Sequence, residues 1–342
     1  MKRAIKKHII LLAAWILATV QGLAQDPNFA QFFSSPLNVN PALTAHINAD
    51  WRVISNLRNQ WAGPANPYLT GTISFDAKLF QNKMWRDEEG NRFGIGTMVM
   101  YDQAFANIVK STYISQNISY NVVLHRGTNS THRLGAGFGA IWGRRMVDFG
   151  RLTWEEQFVG NGFNTNLPTG EVALSNMKPY ISITGGLLYN VSGEKSNFDL
   201  GVASFHINEP KQTFLEDPNQ DLARRNVVHS NFETLLNEEL VLNMNAIYQF
   251  QREATYYSFG GALGYFLPGA NRTILNAGLW YWSENALIPY IGIALNEFQF
   301  GFTYDLTISK LRDAPRQPNS FEFSLIYRGS KSPERGLPCP WR

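Results

Sequence analysis

The chain has 342 residues, of which 44% are apolar, 13% aromatic and only 17% charged, which excludes a disordered tail or a disulfide-held miniprotein. Its formal charge of +3 comes from 30 Lys+Arg against 27 Asp+Glu, but Lys2, Arg3, Lys6 and Lys7 account for four of those bases. Without the first 24 residues, 26 bases face 27 acids, so the basic footprint of a nucleic-acid binder is missing and DNA and RNA are excluded as expected ligands.

Residues 1–24 read as a secretory signal peptide, with a basic start to Lys7, an apolar stretch from Ile9 to Val20 and small residues in Gly22-Leu23-Ala24. That apolar stretch falls short of the roughly 20 residues that a spanning helix needs. The mature chain is therefore expected to begin at Gln25. The one cysteine, Cys339, has no intramolecular partner, so an exported chain of this kind depends on its core or on a membrane.

Residues 25–47 form the next unit, an expected N-terminal inserted segment. They have no sustained period, and Pro27, Pro36 and Pro41 interrupt any helix or ladder, yet Phe29, Phe32, Phe33 and Leu37 require burial. A segment both irregular and aromatic, placed ahead of the first strand, is suited to fold into a barrel mouth as a plug.

From residue 48 to 330 the dominant signal is period-two alternation. In Phe298–Leu306 the residues Phe298, Phe300, Phe302, Tyr304 and Leu306 share one face, and Gln299, Gly301, Thr303 and Asp305 the other. Ile114, Ile118, Tyr120, Val122 and Leu124 stand likewise against Ser115, Asn117, Ser119 and Asn121. Fourteen such segments appear, at 51–59, 68–78, 92–101, 111–124, 133–143, 179–190, 198–207, 226–234, 240–251, 255–266, 272–282, 286–295, 298–306 and 320–328. Most have the ten or so residues of a tilted membrane-crossing strand. The reading is an all-β, transmembrane antiparallel β-barrel of about 14 strands with a plug-like N-terminal segment, integral to the outer membrane and in contact with its lipid. A secreted sandwich or propeller also alternates, but lacks this strand length and the polar inner face of Gly, Ser, Thr and Asn.

The longest gaps, 144–178, 208–225 and 307–319, follow odd-numbered strands, as outward loops do when both termini lie on the inner side; the gap 79–91 breaks that rule. Trp154, Phe158 and Phe163 in the first of these loops are candidate cargo-facing residues, with 208–225 beside them and a folded-back lid as the equal alternative. Residues 331–342 form a tail to which no role is assigned.

The run Gln25-Asp-Pro-Asn-Phe29, followed by Pro36-Leu37 and Asn40-Pro41-Ala42, resembles the opening of the PorP/SprF family of type IX secretion outer-membrane proteins of Bacteroidetes. Leu57–Trp61, Arg225–His229, Ala286–Pro289 and Gly301–Leu311 extend the resemblance in order along the chain. Ala45 departs from it, because the family usually has Gly there, and so weakens the expectation of a positive φ at that turn. The resemblance implies export or surface attachment of a large adhesin, through the adhesin's C-terminal region, alongside other type IX secretion or gliding components. The alternative is a hatch-gated transporter of hydrophobic small molecules resembling the fatty-acid channel family.

Strand charges such as Arg52, Arg58, Asp76, Arg133, Asp305, Glu322 and Arg328 must point inward or sit at the rims, since an Arg facing lipid at mid-membrane costs about 2–4 kcal/mol. For the plug and rim, the candidates are Asp26, Pro27, Phe29, Phe32, Asn40 and Pro41 on the segment and Arg58, Asn59, Gln60 and Trp61 on the first strand. No enzymatic activity, cofactor or metal is expected. Gly135-Ala-Gly137-Phe-Gly-Ala140 fits a dinucleotide fingerprint but lies in a strand with no following helix, so close backbone approach is the reading there. The five histidines His46, His125, His132, His206 and His229 lack metal-ligand spacing. Ser204 and His206, two apart on one strand face, read as lumen residues in a hydrogen-bond network rather than as a nucleophile and its base.

Overall fold

The computed structural model describes residues 26–63, 66–80, 91–170, 177–213, 220–269, 273–313, 316 and 318–330. The expected signal peptide 1–24, the tail with Cys339 and most of the 79–91 loop lie outside the described residues. Strands β1 (Trp51–Ala62), β2 (Tyr68–Leu79), β3 (Arg92–Ala104), β4 (Val109–Arg126), β5 (Ser130–Val147), β6 (Tyr180–Gly193) and β7 (Ser196–Phe205) form the first half of one antiparallel sheet. The second half is β8 (Arg225–Leu235), β9 (Leu240–Gln251), β10 (Ala254–Phe266), β11 (Thr273–Trp282), β12 (Ala286–Leu295), β13 (Phe298–Tyr304), the short β14 (Leu306–Thr307) and β15 (Asn319–Gly329). Neighbours in sequence pair from β1 to β13, β13 pairs with β15 and β15 with β1, so fourteen strands close into a barrel, with the short β14 as an extra fragment on β12. Closure satisfies every ladder and removes the open edges that lipid does not tolerate.

Each of the fourteen alternating segments is a strand, and the sense of the alternation is the one read from the residues. Gln299 is fully buried while Phe300 beside it is 46% exposed, and the buried Ser115, Asn117 and Ser119 alternate with the outward face of Ile114, Ile118 and Tyr120. The buried face lines the lumen. No helix among the described residues is long and apolar enough to cross a membrane.

The barrel has a terminal end, where β1 begins and β15 ends with Trp51 opposite Gly329, and a loop end that carries the connections 148–179 and 206–224. Aromatic rings collect at both. Trp51, Tyr327 and Phe298 meet at the terminal end, with centroids 5.3 and 4.4 Å apart; Trp61 and Tyr68 meet at 5.5 Å at the loop end. Trp51 and Trp61 are ten residues apart on β1. At ~3.3 Å per residue and ~40° tilt they bracket ~25 Å, the height of the lipid-facing band of such barrels.

Of the boundaries that differ from the sequence reading, two have a clear physical cause. β4 and β5 run to 18 residues each, so the loop expected from 144 starts at Asp148. The hairpin continues past the lipid band, where water no longer imposes an apolar face, and Arg145 Nε bonds Ser111 Oγ across it at 3.1 Å. The segment 298–306 is cut at Asp305, whose carboxylate turns inward to Arg58 at 2.7 Å, and β14 then pairs back to Ala286 and Leu287.

Candidate functional site

Residues 26–50 precede β1 and pack against the inward-facing side chains. Pro36 and Pro41 begin turns instead of only breaking them: a 3-10 turn at Phe32–Ser34 is followed by one helical turn at Pro36–Val39 and a second 3-10 turn at Pro41–Leu43. Proline suits a first helical position because it lacks an N–H that would be unpaired there anyway. Phe29, Phe32, Leu37, Val39 and Ala42 are all buried.

The segment runs the length of the barrel, beginning at the loop end. There Asp26 Oδ2 lies 2.8 Å from His206 Nε2 and 3.1 Å from Arg225 Nε, and the Asp26 N–H donates to Gln251 Oε1 at 3.1 Å. Burial alone pushes the Asp26 carboxyl up, but His206 and Arg225 outweigh it and hold the group well below the usual carboxylate range. Pro27 lies beside it in a small cavity shared with Tyr113, Phe205 and Arg225.

Further in, the backbone N–H groups of Ala30 and Gln31 donate to the Glu322 carboxylate at 2.7 and 3.2 Å. Arg58 reaches the same carboxylate at 3.4 Å and stacks its guanidinium 4.5 Å from the Trp282 ring centroid. Arg58 is thus tied to the segment through Glu322. Of the other first-strand candidates, Asn59 and Gln60 hold ladder positions opposite Leu69 and Tyr68, and Trp61 packs on Tyr68 while its N–H donates to Ser320 Oγ.

At mid-height Asn40 makes the densest set of contacts. Its Oδ1 accepts from the Ala42 N–H at 2.8 Å, and its Nδ2 lies 3.0 Å from both the Leu187 carbonyl and His229 Nε2. This proximity exists because facing wall positions are glycine: a Cβ on Gly186 collides with Asn40, and one on Gly137 collides with the Pro41–Ala42 backbone. The Gly135–Gly139 run is therefore a place of close approach, with Gly135 and Gly139 accommodating Asn121 and Asn117. Toward the terminal end Ser119 Oγ donates to the Thr44 carbonyl, the Ala45 N–H donates to Asp76, and Arg52 holds the same carboxylate from the other side at 2.8 Å. Ala45 has φ +55°, so the turn keeps the left-handed conformation without the glycine.

Ser204 and His206 are not partners. His206 stands past the end of β7 with φ +56°, and its Nδ1 lies 2.7 Å from Ser182 Oγ while its Nε2 faces Asp26. A Ser–His–Asp chain results, but Ser182 is fully buried and Asp26 is shared with Arg225. It binds the segment to the wall and presents no accessible nucleophile. Among the described residues no group of His, Cys, Asp or Glu is placed to hold a metal ion.

The loop after β5 carries the second set of candidates. Phe158 and Phe163 face each other across a small hairpin closed by the Val159 N–H to the Gly162 carbonyl at 2.8 Å. Their rings meet at 5.2 Å, and both are about half exposed, at 52% and 53%. Gln157 staples the hairpin base, accepting from the Trp154 N–H and donating to the Leu167 carbonyl at 3.0 Å; Trp154 is half-buried there. In the 206–224 loop Leu222 turns inward and packs with Leu37, Tyr113 and Tyr180.

The toluene transporter TbuX of Ralstonia pickettii superposes with a TM-score of 0.45 at 11% identity, covering 87% of this chain and 93% of its own. A deletion mutant of the monoaromatic hydrocarbon channel TodX gives a TM-score of 0.51 at 11% identity, covering 86% and 94%. That likeness supports the barrel fold alone. No curated protein matches the chain. The family described as type IX secretion system membrane protein PorP/SprF matches residues 22–327, nearly the whole of the chain that builds the segment and the barrel, and this protein belongs to it.

Proposed function

We propose that the protein is a non-enzymatic outer-membrane barrel that assists export or surface attachment of adhesin-like cargo, with residues 26–50 acting as a plug and the loop end facing outward. The observation that carries this reading is the chain's own segment, packed against the inner wall from the loop end to the terminal end, together with an exposed aromatic hairpin at the loop end. A segment held in the lumen disfavours passage of cargo through this barrel, and the Phe158–Phe163 hairpin offers apolar surface to a protein partner.

The test compares surface and secreted proteins of the native strain, a clean deletion, and a strain carrying Phe158→Ser with Phe163→Ser. Selective loss of one or a few large surface proteins in both altered strains supports a dedicated cargo role. Loss of every type IX substrate in the deletion indicates a general export component. An unchanged profile in the deletion removes the secretion reading and brings forward a channel for small hydrophobic molecules, which the polar inner wall otherwise disfavours.

A further inference from the structure

The outward row of β4 reads Ile114, Gln116, Ile118, Tyr120, so an amide stands where its neighbours along the strand are apolar. Gln116 is exposed, and it lies deep in the lipid band. Its ladder partner on β3, Thr97, is four residues from Phe93 toward the terminal end and four from Tyr101 toward the loop end. Its partner on β5, Ala140, is four residues inside Arg144, the nearest charge on that outward face. At ~3.3 Å per residue and ~40° tilt each of these limits is ~10 Å away, farther than a glutamine side chain extends toward headgroups or water.

Inside hydrocarbon an amide has only protein groups to bond with, and leaving it unbonded is costly. Thr97 Oγ1 donates to Gln116 Oε1 at 2.6 Å, and among the described residues nothing accepts from Gln116 Nε2. The surrounding wall does not cover it. Thr97 and Ala140 on either side are short, and the outward rows above and below are apolar: Val99, Ile114 and Trp142 in one, Ile95, Ile118 and Phe138 in the other. The amide therefore stands in a ring of apolar side chains with one of its two ends bonded.

We infer that this face is where a second copy of the chain docks in the membrane, with Gln116 paired to the partner subunit's Gln116. All copies cross the membrane in the same direction, so a two-fold axis relating two of them runs along the membrane normal and keeps every residue at its own depth. A residue on the line of contact then meets itself. A carboxamide is self-complementary there: each Nε2 donates to the opposite Oε1, which has a second lone pair besides the one Thr97 uses. The apolar rows close around the pair and exclude lipid, as the rim of a protein interface excludes water. A membrane helix of another protein fits less well, since it has to bring both a donor and an acceptor to this depth. The inference rests on the barrel's place in a membrane and not on its role in secretion.

The full-length protein is labelled with a fluorophore on Cys339, reconstituted in phosphatidylcholine vesicles at rising lipid-to-protein ratio, and its copies are counted by bleaching steps. Two-step spots are expected to persist at dilutions where Gln116→Leu already gives single steps, a loss of about tenfold in association. The urea midpoint of Gln116→Leu in detergent is expected to equal or exceed that of the native protein, because the variant presents no amide to the apolar phase; lost association is thereby separated from lost folding. In a Cys339→Ser background, Ala140→Cys is expected to cross-link between copies through a short bismaleimide. Ala277→Cys, exposed on β11 seven strands away, is expected not to. Single steps for the native protein at every ratio, an unchanged dilution curve for Gln116→Leu, or cross-linking at Ala277→Cys in place of Ala140→Cys each overturns the inference. So does an Ala140→Cys variant that cross-links in cells only to a different membrane protein, which makes that protein the occupant. If Gln116→Leu does not fold, the two cysteine variants, which keep the glutamine, still decide it.

Discussion

The N-terminal segment meets two unlike walls. On β5–β7 it approaches backbone to backbone: Pro41 and Ala42 lie over Gly137, and Asn40 fits between Gly186, Gly201 and His229. On β11–β15 it is held by rings and charges: Phe33 packs 4.7 Å from Trp280 and 5.7 Å from Tyr290, and Glu322, itself paired with Arg58, receives the Ala30 and Gln31 amides. The first wall has no atoms to lose and fails by addition; the second fails by removal. A protein interior as dense as an organic crystal makes both kinds of failure costly.

The largest effect is expected from the charged wall. Arg58→Leu leaves Asp305 and Glu322 buried with their cation gone, which costs about 3–5 kcal/mol, measured as a lowered urea midpoint in detergent. Glu322→Gln in the same background is expected to restore part of the loss; no recovery would mean that the Arg58 stem and its stacking on Trp282 matter more than its charge. On the glycine wall Gly137→Val is expected to cost about 3 kcal/mol and to make residues 26–50 accessible to protease, because the collision is with backbone that has nowhere to move. Protease resistance equal to that of the native protein would sink the idea that this wall clamps the segment.

The Asp26 contact sharpens the comparison through pH. Its carboxyl titrates lower in the folded protein than in the unfolded chain, so its stabilisation is complete above the ordinary value of about 3.9 and is lost only as pH falls through the depressed folded value. The contribution of the Asp26 contact is therefore expected to be constant from pH 7 to 5 and to fall only under stronger acid. Asp26→Asn should expose the segment, by about 1 kcal/mol relative to the native protein, across that whole range. A difference between the two proteins that already shrinks between pH 7 and 5 would contradict the assignment.

The barrel was legible because lipid outside and polar lumen inside write opposite demands on alternate residues, and that signal survives in each of the fourteen strands. It stops where the demand stops. The β4–β5 hairpin extends into water as far as Val147, and nothing in Arg144-Arg145 marks a strand. The contacts of the segment were not legible in detail, since a chain without period carries no face. Burial of Phe29 and Phe32 follows from composition, whereas Gln31 against Ser324 and Asn28 against Gln249 depend on the path through the lumen. Reading Ser204 and His206 as lumen residues on one strand face failed for a local reason: the inward residues of β7 are Gly201, Ala203 and Phe205, and the backbone of His206 turns left-handed after Phe205, so strand parity no longer tells where its ring points.

Ala45 makes the smallest and most diagnostic case. An alanine at φ +55° is held there by what surrounds it: its N–H donates to Asp76 at 2.7 Å, and Asp76 is clamped by Arg52. A left-handed alanine costs about 1 kcal/mol relative to glycine, while glycine returns part of that by loosening the unfolded chain. Ala45→Gly is thus expected to stabilise the protein by about 0.5 kcal/mol, visible as a small rise in the urea midpoint. The same position tests the crowding of the glycine side, because a Cβ on Gly94 runs into the Ala45 methyl, Ser119 Oγ and the Thr44 carbonyl together. Gly94→Ala alone is expected to destabilise by about 1–3 kcal/mol, and Ala45→Gly should recover more than its own 0.5 kcal/mol in that background. Strict additivity of the two changes would mean that the segment yields at this point, and that the anchors at Asn40 and Glu322 suffice to hold it in the barrel.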